Sequence, residues 1–87
     1  MRLDKFLQVS RLVKRRVLAK EMCERGQVRV NGGIAKPARE VAVGDLVAID
    51  FGWRVVEVEV TSLPAGGGGK GREMYRTMRV ERRDPRA

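Results

Sequence analysis

Three consecutive basic residues, Lys14, Arg15 and Arg16, stand where the sequence predicts the start of a helix. A helix N-terminus has unpaired N–H groups and the positive end of the helix dipole, so acidic side chains would stabilise it and basic ones do not. The amides, the dipole and the basic side chains would all attract the same anion. The cluster therefore indicates an anion-binding site, and the phosphate backbone of a nucleic acid is the natural candidate.

The charge distribution favours the same interpretation, with a formal net charge of +8 over 87 residues. Residues 1–25 contain eight basic and three acidic residues, residues 26–63 contain four and five, and residues 64–87 contain seven and three. This pattern is typical of a β-rich core that carries a basic helical face and a basic tail. Arg outnumbers Lys by fourteen to five, which suits bidentate phosphate contacts, although the codon bias of a G+C-rich genome would also raise Arg.

The chain offers little of the chemistry that catalysis needs. It contains no His and one Cys, so no nucleophile–base pair or thiolate metal cluster is indicated. Cys23 falls on the apolar side of a predicted helix and is interpreted as a buried small hydrophobe. Glu57 and Glu59 share one face of a predicted strand and are interpreted as solvated. We therefore predict a binding protein that has no enzymatic activity, metal or cofactor.

Chain length and hydropathy bound the class of protein further. A chain of 87 residues allows one domain with a modest core. It shows no apolar segment of signal-peptide length and no uncharged stretch of about 18 residues that would span a bilayer. We expect a cytoplasmic protein with no membrane partner.

Two short helices are predicted to position the basic residues. The first is indicated by apolar residues at helical spacing, Leu3, Phe6 and Leu7. A bend over residues 10–13 leads to a second helix that runs from Lys14 toward Arg25. Gly26 ends this helix, because glycine adopts the left-handed conformation of a helix C-terminus. The residues expected on its buried side are Leu18, Ala19, Met22 and Cys23.

The rest of the chain is predicted to form a small sheet. Alternating residues around Asn31-Gly32 predict a hairpin over residues 28–35. Residues 46–51 are predicted to form a strand with two mostly apolar faces, and residues 54–60 a strand with Val inward and Glu outward. A glycine-rich flexible loop over residues 64–72 separates a domain over residues 1–63 from a short returning element and basic tail over residues 73–87. The fold class is α+β, with two short N-terminal helices packed on a mainly antiparallel sheet.

Several motifs resemble the RNA-binding domain of ribosomal small-subunit protein four. They occur in that family's order and spacing over residues 2–50, and they are RLDKFL, SRLVKRRVLAK, G-x-V-x-V-N-G, AKP and V-x-x-G-D. The resemblance implies the α+β fold of that domain, also known as the alpha-L motif. In length and opening residues the chain is most similar to free-standing, ribosome-associated members of the family, to which a heat-shock protein of the same fold is related.

The resemblance also implies which residues contact RNA. The two helices would form the RNA face, and Arg2 and Arg16 match the family motif. Asp4 belongs to the same motif, and we hypothesise that it orients a neighbouring Arg for phosphate; the alternative is a plain acid on the helix surface. The other candidates would extend the patch or be merely solvated, and they are Lys5, Arg11, Lys14, Arg15, Lys20, Lys36 and Arg39.

The implied partners are rRNA and the peptidyl-tRNA of a stalled large ribosomal subunit after subunit splitting. The protein would assist C-terminal alanine tailing of the nascent chain, with a tailing factor as a further partner, and would be a monomer off the ribosome. Two alternatives stay open: a DNA-binding helix-turn-helix protein, and a targeting or adaptor module for an RNA-modifying enzyme. The second helix offers charge with few residues that read base edges, and the few aromatic residues disfavour multi-aromatic single-strand binding, so structured RNA fits better.

Overall fold

The computed structural model describes residues 1–63 and 71–82. Helices α1 (Leu3–Val9) and α2 (Arg16–Glu24) are followed by strands β1 (Val28–Val30), β2 (Gly33–Ile34), β3 (Leu46–Asp50) and β4 (Arg54–Val60), a 3-10 helix (Gly71–Met74) and strand β5 (Tyr75–Arg82). The strands form one antiparallel sheet in the order β2-β1-β3-β4-β5. The α+β architecture is thus confirmed. The predicted loop lies outside the described residues except for 71–72, as does the end of the predicted tail, residues 83–87.

The two helices cover one face of the sheet, and the hydrophobic core lies between the helices and the sheet. In β4 the valines at 56, 58 and 60 are buried while Glu57 and Glu59 lie toward the other face, as the alternation predicts. The two faces of β3 differ in burial although both carry mostly apolar residues. Val47 and Ile49 are buried, whereas Leu46 on the other face is exposed, because within residues 1–63 and 71–82 no helix covers that second face.

Helix α2 is shorter than predicted, since Lys14 and Arg15 precede it. Val13 is buried and its N–H donates to the carbonyl oxygen of Leu7 at 3.0 Å, which holds the connection against α1. Arg15 then has extended backbone, with φ −126° and ψ 142°, so the helix begins at Arg16. The burial predicted for Leu18 is also wrong: Ala19, Met22 and Cys23 face the core, whereas Leu18 lies at the edge of that face and is 43% exposed.

Each helix is followed, two residues after its end, by a residue with left-handed backbone. Gly26 has φ +76°, and N–H groups of Gly26 and Gln27 donate to the carbonyl oxygens of Cys23 and Met22. This is the predicted glycine stop. No glycine follows helix α1, and Arg11 in the bend adopts the left-handed conformation instead, with φ +65°. A side chain with a Cβ is strained there by about 1 kcal/mol or more.

The hairpin between β1 and β2 has the predicted two-residue turn. Asn31 and Gly32 have φ +51° and +86°, and Val30 pairs with Gly33. The side-chain amide of Asn31 donates to the Asp45 carboxylate at 3.1 Å and accepts the N–H of Leu46 at 3.0 Å. The turn is thereby tied to the start of β3.

We expect Gly32→Ala to lower the free energy of unfolding by about 1 kcal/mol, because a Cβ is unfavourable at positive φ. No atom lies within 4 Å of the added Cβ, so crowding does not contribute. Gly33→Ala is the matched control, since Gly33 has no positive φ and an added Cβ would lie at an ordinary 3.9 Å from the carbonyl oxygen of Val30. Urea denaturation of both variants measures the difference; equal effects would contradict a conformational cause.

We expect Cys23 to be almost unreactive in the folded protein. The residue is buried, and this burial raises the pKa of its thiol to about 11, with the negative charge of Asp4 acting in the same direction. A rise of two units from 9.0 lowers the thiolate fraction about 100-fold. Modification by a disulfide reagent at pH 8 should therefore be at least roughly 100-fold slower in buffer than in 8 M urea. Similar rates in both solutions would show that the thiol is accessible.

Candidate nucleic-acid interface

One buried carboxylate joins two of the predicted RNA-binding arginines. Asp4 lies in the first turn of α1, and its side chain is 3% exposed. Its oxygens accept hydrogen bonds from Nε and Nη2 of Arg2 at 3.2 and 3.1 Å, and from Nη2 of Arg16 at 3.5 Å. The backbone N–H of Lys5 donates to it at 2.8 Å. Arg2 precedes α1 and Arg16 opens α2, so the carboxylate also joins the two helices.

Arg2 and Arg16 keep most of their hydrogen-bond donors and a net positive charge beyond what Asp4 uses. Their side chains are 46% and 48% exposed, and together they carry two positive charges against the single charge of Asp4. A guanidinium has five N–H donors, of which Arg2 uses two and Arg16 one on this carboxylate. The remaining donors are directed elsewhere and can bind a phosphate. The alternative that Asp4 is a plain surface acid is wrong, because the residue is buried.

The carboxylate of Asp4 is ionised at neutral pH. Burial raises the pKa of Asp4, but the hydrogen bonds from Arg2 and from the N–H of Lys5 lower it, as do the charges of Arg16 and Arg2. The lowering effects outweigh burial, so the pKa lies below its usual value. The ion pairs with both arginines therefore persist throughout the physiological range.

The loop over residues 36–41 fixes the start of α1. Arg2 forms an isolated antiparallel bridge with Glu40, and the N–H of Leu3 donates to the carbonyl oxygen of Arg39 at 2.8 Å. The N-terminal ammonium lies 2.8 Å from the Glu40 carboxylate. These contacts bring exposed Lys36 and Arg39 to the end of the molecule that carries Arg2. Sequence reasoning missed Glu40, because no local pattern reveals a contact across 39 residues.

The other predicted residues on the N-terminal part of the chain lie along the helices and the bend. Lys5 is exposed on α1, Lys20 follows Arg16 by one helical turn, and Arg11 and Lys14 line one surface depression at the bend together with the end of α1. Arg15 lies at the N-cap of α2, where no side chain caps the helix and the first turn contains no acid. Within residues 1–63 and 71–82, no ion pair is made by Lys5, Arg11, Lys14, Arg15, Lys20, Lys36 or Arg39.

Over residues 1–63 and 71–82, no group of three or more His, Cys, Asp or Glu could hold a metal ion. No helix in those ranges is long and apolar enough to cross a membrane. A cluster of exposed cations around one buried acid is thus the main polar feature of the helical face.

The fold is that of an S4 domain, and the model of the S4 domain family matches residues 1–47. The chain belongs to the S4 domain family. Two similar proteins are named RQC P-site tRNA stabilizing factor. The one from Halalkalibacterium halodurans is 57% identical over 63 residues, 72% of either chain, and the one from Listeria innocua is 45% identical over 85 residues, 97% of this chain and 92% of the relative.

A solved structure shares the fold. The trimeric structure of heat shock protein 15 from Vibrio cholerae matches with a TM-score of 0.79 and 31% sequence identity, and the match covers 90% of this chain and 81% of the other. The resemblance stated from the sequence motifs is confirmed by these matches, including the relation to the heat-shock protein.

We expect Asp4→Asn to lower the free energy of unfolding at pH 7 by about 1–3 kcal/mol, because two arginines lose a charged acceptor. The pKa of Asp4 is lowered in the folded state, so its contribution is fully present above the unfolded value of about 3.9 and is lost as the pH falls through the folded value. The difference between wild type and variant should therefore shrink below about pH 4. Urea denaturation at pH 7, 5 and 3 measures it.

Glu81→Gln is the control for this pH series. Glu81 is exposed and its ion pair is with exposed Arg79, so its loss should change the unfolding free energy by under about 0.5 kcal/mol at each pH. A stability difference for Asp4→Asn that stays constant from pH 7 to 3 would contradict the assigned role of the carboxylate.

Proposed function

We propose that this chain binds folded RNA through a surface that we call the RNA face. It consists of Arg2, Lys5, Arg11, Lys14, Arg15, Arg16, Lys20, Lys36 and Arg39, with Asp4 as the residue that positions the two central arginines. The arrangement of Arg2 and Arg16 around Asp4 carries the proposal. Because both guanidinium groups are oriented before a ligand arrives, little side-chain entropy is lost when a phosphate binds.

The chemistry of the RNA face favours phosphate and shape recognition over base reading. Its donors are guanidinium and ammonium groups, which fit phosphate oxygens, and the uncapped start of α2 adds backbone N–H groups. Phe6 is the one aromatic residue in the two helices, and it is fully buried, so it offers bases no stacking surface. We therefore assign to this face structured RNA as ligand and a role in which no bond is made or broken.

The names of the relatives support a role in ribosome-associated quality control, and we propose that the chain acts in the cytoplasm. In this role the chain would bind rRNA and the stalled peptidyl-tRNA on the large subunit and assist C-terminal alanine tailing, with the tailing factor as protein partner. A small protein stabilises a tRNA by holding it against a fixed surface, which requires that the protein contacts the tRNA and the surface at the same time. The RNA face, which draws on two helices, a bend and a loop, offers contacts to more than one RNA segment.

We expect Arg2→Gln and Arg16→Gln each to weaken binding to the large ribosomal subunit by about tenfold and to reduce the salt dependence of binding by about one phosphate contact. Arg16→Glu should abolish co-sedimentation with the large subunit while circular dichroism shows an intact fold. Arg25→Gln is the matched control, because Arg25 lies at the opposite end of α2 and makes no contact with Asp4. Its affinity should stay within about twofold of wild type.

Two outcomes would contradict the proposal. Unchanged co-sedimentation of the Arg2 and Arg16 variants would point to protein contacts, as expected for an adaptor. Equal affinity for a structured rRNA fragment and for duplex DNA at the same salt concentration would remove the preference for RNA.

A further inference from the structure

The turn between β3 and β4 presents an exposed indole on a fixed backbone. Gly52 has φ +92°, and its N–H donates to the Asp50 carboxylate at 2.7 Å. The N–H of Phe51 donates to the carbonyl oxygen of Arg54 at 2.8 Å, which closes the turn. Trp53 follows at the tip and is 56% exposed. A large aromatic side chain in this position has no role in the core.

The guanidinium of Arg54 stacks on two aromatic rings at this turn. Its guanidinium carbon lies 4.6 Å from the centroid of the Trp53 ring and 5.2 Å from that of Phe51. Phe51 is partly buried and packs against the core, so the stack is anchored on one side. The stack restrains the indole of Trp53 through the cation–π contact. Among buried side-chain nitrogens and oxygens of the described residues, only Nε of Arg54 lacks a hydrogen-bond partner.

A second arginine faces Arg54 across the sheet. Arg82 of β5 is its register partner, so the two side chains leave the same face of the sheet with Cβ atoms about 5 Å apart. Like charges directly opposite each other destabilise a sheet. Neither arginine forms an ion pair within the described ranges. Asp50 and Glu81 are the nearby acids, but the strand alternation places both on the other face, where Glu81 pairs with Arg79.

We infer that Trp53, Arg54 and Arg82 form a second RNA contact, which binds one unpaired nucleotide. The base stacks on the exposed side of the Trp53 ring, and the adjacent phosphate lies between Arg54 and Arg82 and offsets their repulsion. Stacking on an aromatic ring tolerates every base, so this contact selects an unpaired nucleotide and not a sequence. We name it the stacking site.

The stacking site is separate from the RNA face. Gln27 lies just beyond the end of α2 and contacts Asp50 at the start of the turn. Its carbonyl oxygen accepts the N–H of Asp50, and its side-chain amide donates to the carbonyl oxygen of Asp50, both at 2.8 Å. Arg16 lies at the other end of this nine-residue helix, about 13 Å away along its axis. The inference rests on the proposed RNA-binding function, and it adds an unpaired nucleotide to the folded RNA held by the helices.

The test uses the fluorescence of the intact protein, because Trp53 is its one tryptophan. Octaadenylate RNA should quench the emission in a saturable manner, whereas a ribose-phosphate oligomer of the same length without bases should not. In anisotropy titrations with labelled octaadenylate, Trp53→Ala should weaken binding about tenfold and Trp53→Phe by less. Arg82→Gln should weaken it several-fold and lower its salt dependence.

Arg76→Gln is the matched control. It removes the same charge from the same strand, but Arg76 lies on the opposite face and pairs with Glu59. Its affinity for octaadenylate should stay within about twofold of wild type. Should Trp53→Ala fail to fold, as circular dichroism would show, quenching of the wild-type protein by octaadenylate against the baseless oligomer decides the question.

The inference is overturned if both oligomers bind equally well and neither quenches Trp53. It is also overturned if Trp53→Ala weakens co-sedimentation with the large subunit but leaves its affinity for octaadenylate unchanged, since the turn would then contact protein. Failure here is distinct from failure of the proposed function, because the Arg2 and Arg16 variants test that function with structured RNA. Loss of binding in those variants together with an inert Trp53 would leave the RNA face in place and remove only the stacking site.

Discussion

The burial of an ionised carboxylate at the start of α1 is the constraint on which the helical face depends. A charge withdrawn from water is tolerated only when its lone pairs are used, and Asp4 uses them on Arg2, Arg16 and the N–H of Lys5. Satisfying Asp4 therefore places the beginnings of both helices side by side. The same geometry presents two half-exposed guanidinium groups to solvent, so stability and phosphate binding rest on one arrangement.

The sheet and the loop that leads into it hold Arg2 in this arrangement. Arg2 is held twice: its side chain by Asp4, and its backbone by the bridge to Glu40. The loop that contains Glu40 leads into β3, whose start is tied to the hairpin by Asn31. An exposed arginine is thus connected to the most regular part of the fold, which limits its motion and lowers the entropy lost on binding.

The sequence predicted correctly those features that local physics decides. The Asn31-Gly32 turn, the glycine stop at Gly26 and the alternation of β4 depend on neighbouring residues, and all three are confirmed. The features that the sequence missed or left open depend on distant contacts. Helix α2 begins at Arg16 because Val13 is held against α1, and the burial of Asp4 depends on a partner 12 residues away. The pairing of Arg54 with Arg82 across two strands has no local sequence signal at all.

Some basic residues of this chain have acidic partners and others have none, and the positions of the unpaired ones bear on function. On the outer face of the sheet, Arg76 and Arg79 have acidic partners, Glu59 and Glu81. In the described ranges Arg25 and Arg29 also lack an ion pair, so the contrast is one of crowding. Basic side chains lie close to one another around Asp4, and Arg54 lies directly opposite Arg82. Since unpaired like charges at short distance reduce stability, their retention at two defined places is best explained by anionic ligands that compensate them.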